Sequence, residues 1–141
     1  MDETLIRQRI ENWAKAIRAQ DVDGVVALYA PDVASFDIVP PLRYVGADRK
    51  RRAWQESFAT FPGGIAYDVT DLNVTVHGDL AFAHSLNHVN ATSADSRVTD
   101  LWLRWTACFR RRSDGVWLVV HDHISVPADL ARGRAVVDLT P

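Results

Sequence analysis

Asp37 closes an otherwise apolar run, Val33-Ala34-Ser35-Phe36, just before the pair Pro40-Pro41. A carboxylate at the rim of an apolar strand can accept a proton near neutrality; one at a strand end can also simply cap the following turn. Asp122, His84 and His88 form a second set. An acid beside imidazoles fixes their tautomer and makes a general base at physiological pH, and the same three side chains can equally be a satisfied buried network under a pocket. His121-x-His123 puts two imidazoles on one strand face, the start of a metal site, but no third or fourth ligand is recognisable. No metal and no cofactor are therefore expected. Trp13, Trp54, Phe58 and Trp105, with Ile124, can wall an aromatic ligand cavity or fill a core.

The elements that must position these groups are legible in the residue pattern. Leu5, Ile6, Ile10, Trp13, Ala14 and Ile17 recur at spacings of three and four, one buried face of a first helix. Asp21 is placed to cap a short second helix carrying Val25, Val26, Leu28 and Tyr29, which Pro31 and Asp32 end. A strand over Val33 to Ile38 runs into Pro40-Pro41, which permits neither helix nor central strand. Gly46 opens a third helix, Ala47 to Thr60, with Trp54 and Phe58 four residues apart. Four β-rich stretches follow: 65–76, 80–92, 98–111 and 116–126. They are separated by His77-Gly78-Asp79, a polar Ser93–Ser96 loop and Ser113-Asp114-Gly115, all suited to hairpins. Helices first and an antiparallel meander after them make an α+β domain, with a core over about 5–127 and a C-terminal tail 128–141.

Bulk properties exclude several function classes. The chain has 141 residues, 48% of them hydrophobic and 24% charged, enough for one domain with a real core. A net charge of −2 leaves no electrostatic footprint for nucleic acid. The runs Arg49-Lys50-Arg51-Arg52 and Arg110-Arg111-Arg112 read as solvated faces. Cys108 is the single cysteine, so no internal disulfide forms. No stretch has the secretory pattern or the roughly 20 apolar residues of a membrane span. A cytoplasmic location without membrane association is expected.

The segment Trp13-Ala14-Lys15-Ala16-Ile17-Arg18-Ala19-Gln20-Asp21-Val22-Asp23-Gly24-Val25-Val26-Ala27-Leu28-Tyr29-Ala30 resembles the opening of ketosteroid isomerases and SnoaL-like proteins. Gly115-Val116-Trp117-Leu118-Val119-Val120-His121-Asp122-His123-Ile124-Ser125-Val126-Pro127 resembles the closing strand of ketosteroid-isomerase homologues and, more loosely, the association domain of calcium/calmodulin-dependent kinase II. The resemblance spans about residues 5–127. It implies the nuclear transport factor 2-like fold: a cone-shaped roll of three N-terminal helices packed on a curved, mostly antiparallel sheet.

By that resemblance Asp37 matches the general base of the isomerases. Their oxyanion hole is a tyrosine and a protonated aspartate; the matching positions here hold Trp13 and Ala107 or Cys108, so steroid isomerisation should be poor or absent. The resemblance also implies that His84, Leu86 and His88, with Leu103, Trp105 and Ala107, and with Val120, Asp122 and Ile124, face the concave pocket. Trp102, Arg104, Thr106, Trp117, His121 and His123 would then lie on the convex face and mediate a homodimer. The implied function is cofactor-independent acid–base chemistry, of isomerase, cyclase or dehydratase type, on a small, partly hydrophobic molecule. Asp37, Asp122, His84 and His88 are its candidate proton carriers, and Trp13, Trp54, Phe58, Trp105 and Ile124 its candidate substrate contacts. The fold also hosts non-catalytic ligand-binding and oligomerisation modules, and hydroxylase-like members.

Overall fold

The apolar spacing of the N-terminus forms α1 (Asp2–Arg18), which buries Ile6, Ile10, Trp13, Ala14, Ala16 and Ile17. The computed structural model describes residues 1–141. Asp2 and Glu3 in the first turn, and Lys15 and Arg18 in the last, complement the helix dipole. α2 (Val22–Val26) begins at Asp21, whose carboxylate accepts the Gly24 N–H at 3.1 Å. Glycine is required there by a close approach: a Cβ on Gly24 would sit 2.8 Å from the Ala16 Cβ. α1 and α2 are thereby pressed together.

β1 (Tyr29–Phe36) starts four residues before the strand expected from the sequence, and Tyr29 belongs to it rather than to α2. Pro31 is tolerated because the parallel pairing of β1 with β6 is interrupted between Tyr29 and Ala34. β2 (Tyr44–Val45) and α3 (Ala47–Thr60) follow, and then the meander: β3 (Ile65–His77), β4 (Leu80–Thr92), β5 (Val98–Arg111) and β6 (Trp117–Ser125). The six strands lie in the order β2-β1-β6-β5-β4-β3, and every pair except β1–β6 is antiparallel. In the tail, β7 (Ala128–Asp129) pairs with β8 (Arg134–Ala135), while Leu130, Val137 and Leu139 stay exposed. The result is the expected cone-like α+β roll, with the helices on the inner face of a curved sheet. No helix is long and apolar enough to cross a membrane.

The core is centred on Trp13. Its indole stacks on Trp105 (centroids 4.7 Å apart, planes 15° apart) and meets Tyr67 and Trp54 edge-on at 5.3 and 6.2 Å. Two irregularities in the sheet decide which side chains reach this centre. β3 breaks register between Thr70 and Asn73, where Asp71 has φ 52°. β6 carries an extra residue: Cys108 pairs with His121 but Phe109 pairs with Val119, which leaves Val120 as a bulge. Strict alternation would place Trp117 outside with His121 and His123. The bulge instead turns Trp117 and Val119 inward, and the Trp117 indole donates to Asp2 at 3.2 Å.

Candidate functional site

Between α3, the end of β1 and the inner face of β3–β6 lies a cavity of about 430 Å³. Of its 19 lining residues 14 are hydrophobic, among them Trp13, Tyr44, Trp54, Phe61, Leu103 and Ile124. Such a concave, mostly apolar site with a few convergent polar groups is where small molecules bind. A second cleft, about 410 Å³, runs between α1 and α2 beside Arg9, Asn12, Lys15 and Asp21, and Trp13 is the partition between the two spaces. That cleft has no other aromatic wall, which makes the first cavity the better candidate.

Asp37 reaches the cavity because alternation along β1 carries Val33, Ser35 and then Asp37 to the same inner side. Its Oδ1 accepts the Ile38 N–H at 2.7 Å, and its Oδ2 accepts from Lys50 Nζ at 3.0 Å. Lys50 is the unanticipated residue. The run Arg49–Arg52 reads as a solvated face, yet the Lys50 side chain is only 1% exposed, four residues before Trp54 on the inner side of α3. Arg49 and Arg51 do lie at the periphery: Arg49 covers the Tyr44 ring at 4.3 Å and Arg51 pairs with Asp23 at 2.7 Å. The Lys50 ammonium lies 5.2 and 5.8 Å from the ring centroids of Tyr29 and Tyr44. Burial disfavours its charge, but the oxygens of Tyr29, Asp122 and Asp37 outweigh this and raise its pKa. It is an ammonium at neutral pH.

Buried tyrosines surround this ion pair. Burial pushes the Tyr29 phenol up to about 12, and the Lys50 ammonium only partly offsets this. Tyr67 is also raised, by burial first, with Tyr29, Asp122 and Asp37 adding to it. Trp54 donates to the Tyr29 hydroxyl at 3.2 Å, and Asn87 donates to that of Tyr67 at 2.9 Å. The Trp13 indole N–H is close enough to bias Tyr29, yet it is a buried donor with no partner.

The structure divides the candidate residues. Asp37, Trp13, Trp54 and Ile124 line the cavity. Trp105 lies behind Trp13, and Phe58 packs beside Trp54 against the core; neither lines it. Asp122 is fully buried under the floor, set beside Ser35 by the β1–β6 pairing, and it accepts from the Ser35 hydroxyl and, at 3.2 Å, from the Trp105 indole.

His84 and His88 require a correction: the inner face of β4 is the odd set. Ala83 pairs with Ala107, and Ala107 with Asp122, all buried on one side, so His84 and His88 point to the other. His88 stacks on Trp102 (4.6 Å, 12°) and bonds Asp100 at 2.6 Å. The constellation of Asp122 with two imidazoles does not exist. Ser85 and Asn87 occupy the inner positions instead, with Ser85 donating to Asn87 at 2.7 Å. Val120, also expected in the pocket, is the bulge residue. His121 and His123 lie outside against Phe36, and no third His, Cys, Asp or Glu joins them closely enough to hold a metal.

A family model described as the SnoaL-like domain matches residues 6–129. Among solved structures, a nuclear transport factor 2-like protein of unknown function from Pseudomonas putida KT2440 is 34% identical, with a TM-score of 0.88 over 99% of this chain and 96% of that one. A proposed dehydratase of the same fold from Streptomyces avermitilis (20% identity, TM-score 0.77, covering 91% and 97%) is also similar. So is a ketosteroid isomerase-like protein from Erwinia carotovora atroseptica SCRI1043 (23%, 0.74, covering 86% and 93%). A search of curated proteins finds no match.

Proposed function

The chain belongs to the SnoaL-like family, and from that premise we propose that its cavity takes a small, partly hydrophobic molecule on which Asp37 acts as proton acceptor. The carrying observation is a carboxylate at the wall of an apolar cavity, tethered at both oxygens, by Lys50 and by the Ile38 N–H. The two contacts fix the carboxylate's orientation while each oxygen keeps a free lone pair. The chemistry would be isomerisation, cyclisation or dehydration, with the proton moved by Asp37 and no cofactor involved.

The test is deuterium exchange into 2-tetralone in heavy water, followed by NMR. Saturable exchange is expected, falling by about 100-fold or more in Asp37→Asn, the usual weight of a positioned general base. Binding without any exchange dependent on Asp37 would instead establish the non-catalytic ligand-binding reading, which the prior engagement of Asp37 by Lys50 favours. A 5-ene-3-ketosteroid should be turned over poorly. Asp122 has both oxygens committed beneath the floor, and the wall's second carboxyl, Glu56, is exposed to water at the mouth, where it is not held as a buried acid for an enolate oxygen.

The protein is further proposed to be a cytoplasmic homodimer through the outer sheet face. Phe36 and Phe82 are 39% and 48% exposed there, beside Trp102, Arg104, His121 and His123. Trp117, which strict alternation along β6 would place with them, is buried and lies outside this face. Light scattering at micromolar concentration should give twice the 15.8 kDa chain mass; a monomer would refute the interface.

A further inference from the structure

We propose that the cavity is selective for hydrophobic amines: it binds a protonated nitrogen against Asp37 with the ligand's apolar body among the rings, and it rejects carboxylates. This rests on the reading of the cavity as a small-molecule site and names the ligand class. Asp37 and Glu56 are the charged residues in its wall, and no lysine, arginine or histidine lines it. The nearest cation, Lys50, is held behind the wall by Asp37 itself and does not reach the lumen. With Asp122 under the floor, three carboxyl groups stand at the space, against the Lys50 ammonium and the Arg49 guanidinium over the Tyr44 ring, neither of which lines it.

Two of the five hydroxyls in the wall, Tyr44, Ser57, Thr60, Tyr67 and Thr99, already donate within the protein. Tyr44 donates to the Pro40 carbonyl at 3.0 Å and Thr60 to the Glu56 carbonyl at 2.9 Å. What remains for a ligand, beside the carboxylates, is neutral hydroxyls, which accept as well as donate, and aromatic rings. Rings of this region already receive cations from the protein side, Arg49 over Tyr44 and Lys50 near Tyr29 and Tyr44, and an organic ammonium can use the rings of Trp54, Phe61 and Tyr67 in the same way. The Tyr67 phenol is raised mainly by burial, and Tyr29, Asp122 and Asp37 add smaller contributions of the same sign.

A ligand of this class that arrives already as a protonated imine would also suit the missing oxyanion donor. Removing a proton from carbon beside a protonated imine sends the C–H electron pair into a C=C bond and the C=N pair onto nitrogen. Asp37 takes the proton, and the product is a neutral enamine, so no negative oxygen needs stabilising.

Three probes of one shape separate the possibilities: 2-(aminomethyl)naphthalene, 2-naphthalenemethanol and 2-naphthoate, titrated by calorimetry into the whole chain at pH 7. The amine should bind at least about tenfold more tightly than the alcohol, and the acid at least about tenfold more weakly, for one effective charge in a low-dielectric site. Asp37→Asn should weaken the amine by about tenfold or more, weaken the alcohol by clearly less, and strengthen the acid, because it leaves Lys50 uncompensated. Glu56 is exposed at the mouth, so Glu56→Gln folds in any case and should weaken the amine alone by about two- to threefold. Alcohol or acid binding as tightly as the amine overturns the selectivity and leaves the cavity standing as a site. Failure of all three probes to bind the folded protein overturns the site as well.

Discussion

Lys50→Met is expected to lower the unfolding free energy at pH 7 by about 3 kcal/mol, the low end for removing one partner of a buried ion pair. The low end applies because Asp37 keeps 18% side-chain exposure and can recover some hydration when abandoned. Urea unfolding should show a lower midpoint at an unchanged slope. Alkaline pH supplies a second readout. Lys50, Tyr29 and Tyr67 all have folded pKa values raised above their ordinary ones. As pH climbs past about 10 the unfolded chain loses these protons first. The folded state then binds more protons than the unfolded one, and stability falls as pH rises. Each such proton contributes a slope of up to about 1.4 kcal/mol per pH unit. Lys50→Met removes one of them, so its stability should decline less steeply above pH 10 than the wild type's. A variant as stable as wild type at pH 7, or with the same alkaline slope, would mean that the ammonium is not held as the structure shows.

That buried lysine also marks the limit of what the sequence discloses. α3 and the meander are legible almost to the residue, because Gly46, Pro62-Gly63-Gly64, Gly78-Asp79 and Asp114-Gly115 punctuate them. The inner face of β5 is legible too, since its odd set is the more apolar. On β4 the same logic inverts. Leu80, Phe82 and Leu86 are the larger apolar residues, yet the buried face is Ala81, Ala83, Ser85 and Asn87. Ser85 lies across from Trp105, whose indole, stacked with Trp13, fills the volume that a large β4 side chain would need. Small residues face inward there because neighbours already occupy the core. The bulge at Val120 leaves no mark in an unbroken apolar strand, so it moves Trp117 inside unannounced. Lys50 hides within four consecutive cations; its one signal is the spacing of four to Trp54, which places it on the buried side of α3. Asp37 could be found because it continues the inward alternation of β1, and its partner could not.

Trp13→Ala is expected to cost about 3–5 kcal/mol, as for other large aromatic truncations in a packed core. The indole is 1% exposed and touches Trp105, Tyr67 and Trp54 at once, so no single neighbour can collapse into the space it leaves. It also separates the cavity from the α1–α2 cleft, and its loss should join the two and let the variant bind naphthalene-sized probes with little regard to charge, now that Arg9 and Lys15 share the space. Trp13→Phe is the informative companion. It replaces the fused bicycle by one phenyl ring and so removes the buried pyrrole N–H that has no partner. The packing lost is opposed by relief of an unsatisfied donor, itself a burden of about 1–3 kcal/mol. Trp13→Phe should therefore lie within about 1 kcal/mol of wild type, whereas an ordinary core tryptophan with a bonded indole would lose both contributions. If the phenylalanine variant instead falls as far as the alanine one, the N–H has a partner in solution, and Tyr29, the hydroxyl it already influences, is the group to examine by Tyr29→Phe in the same background.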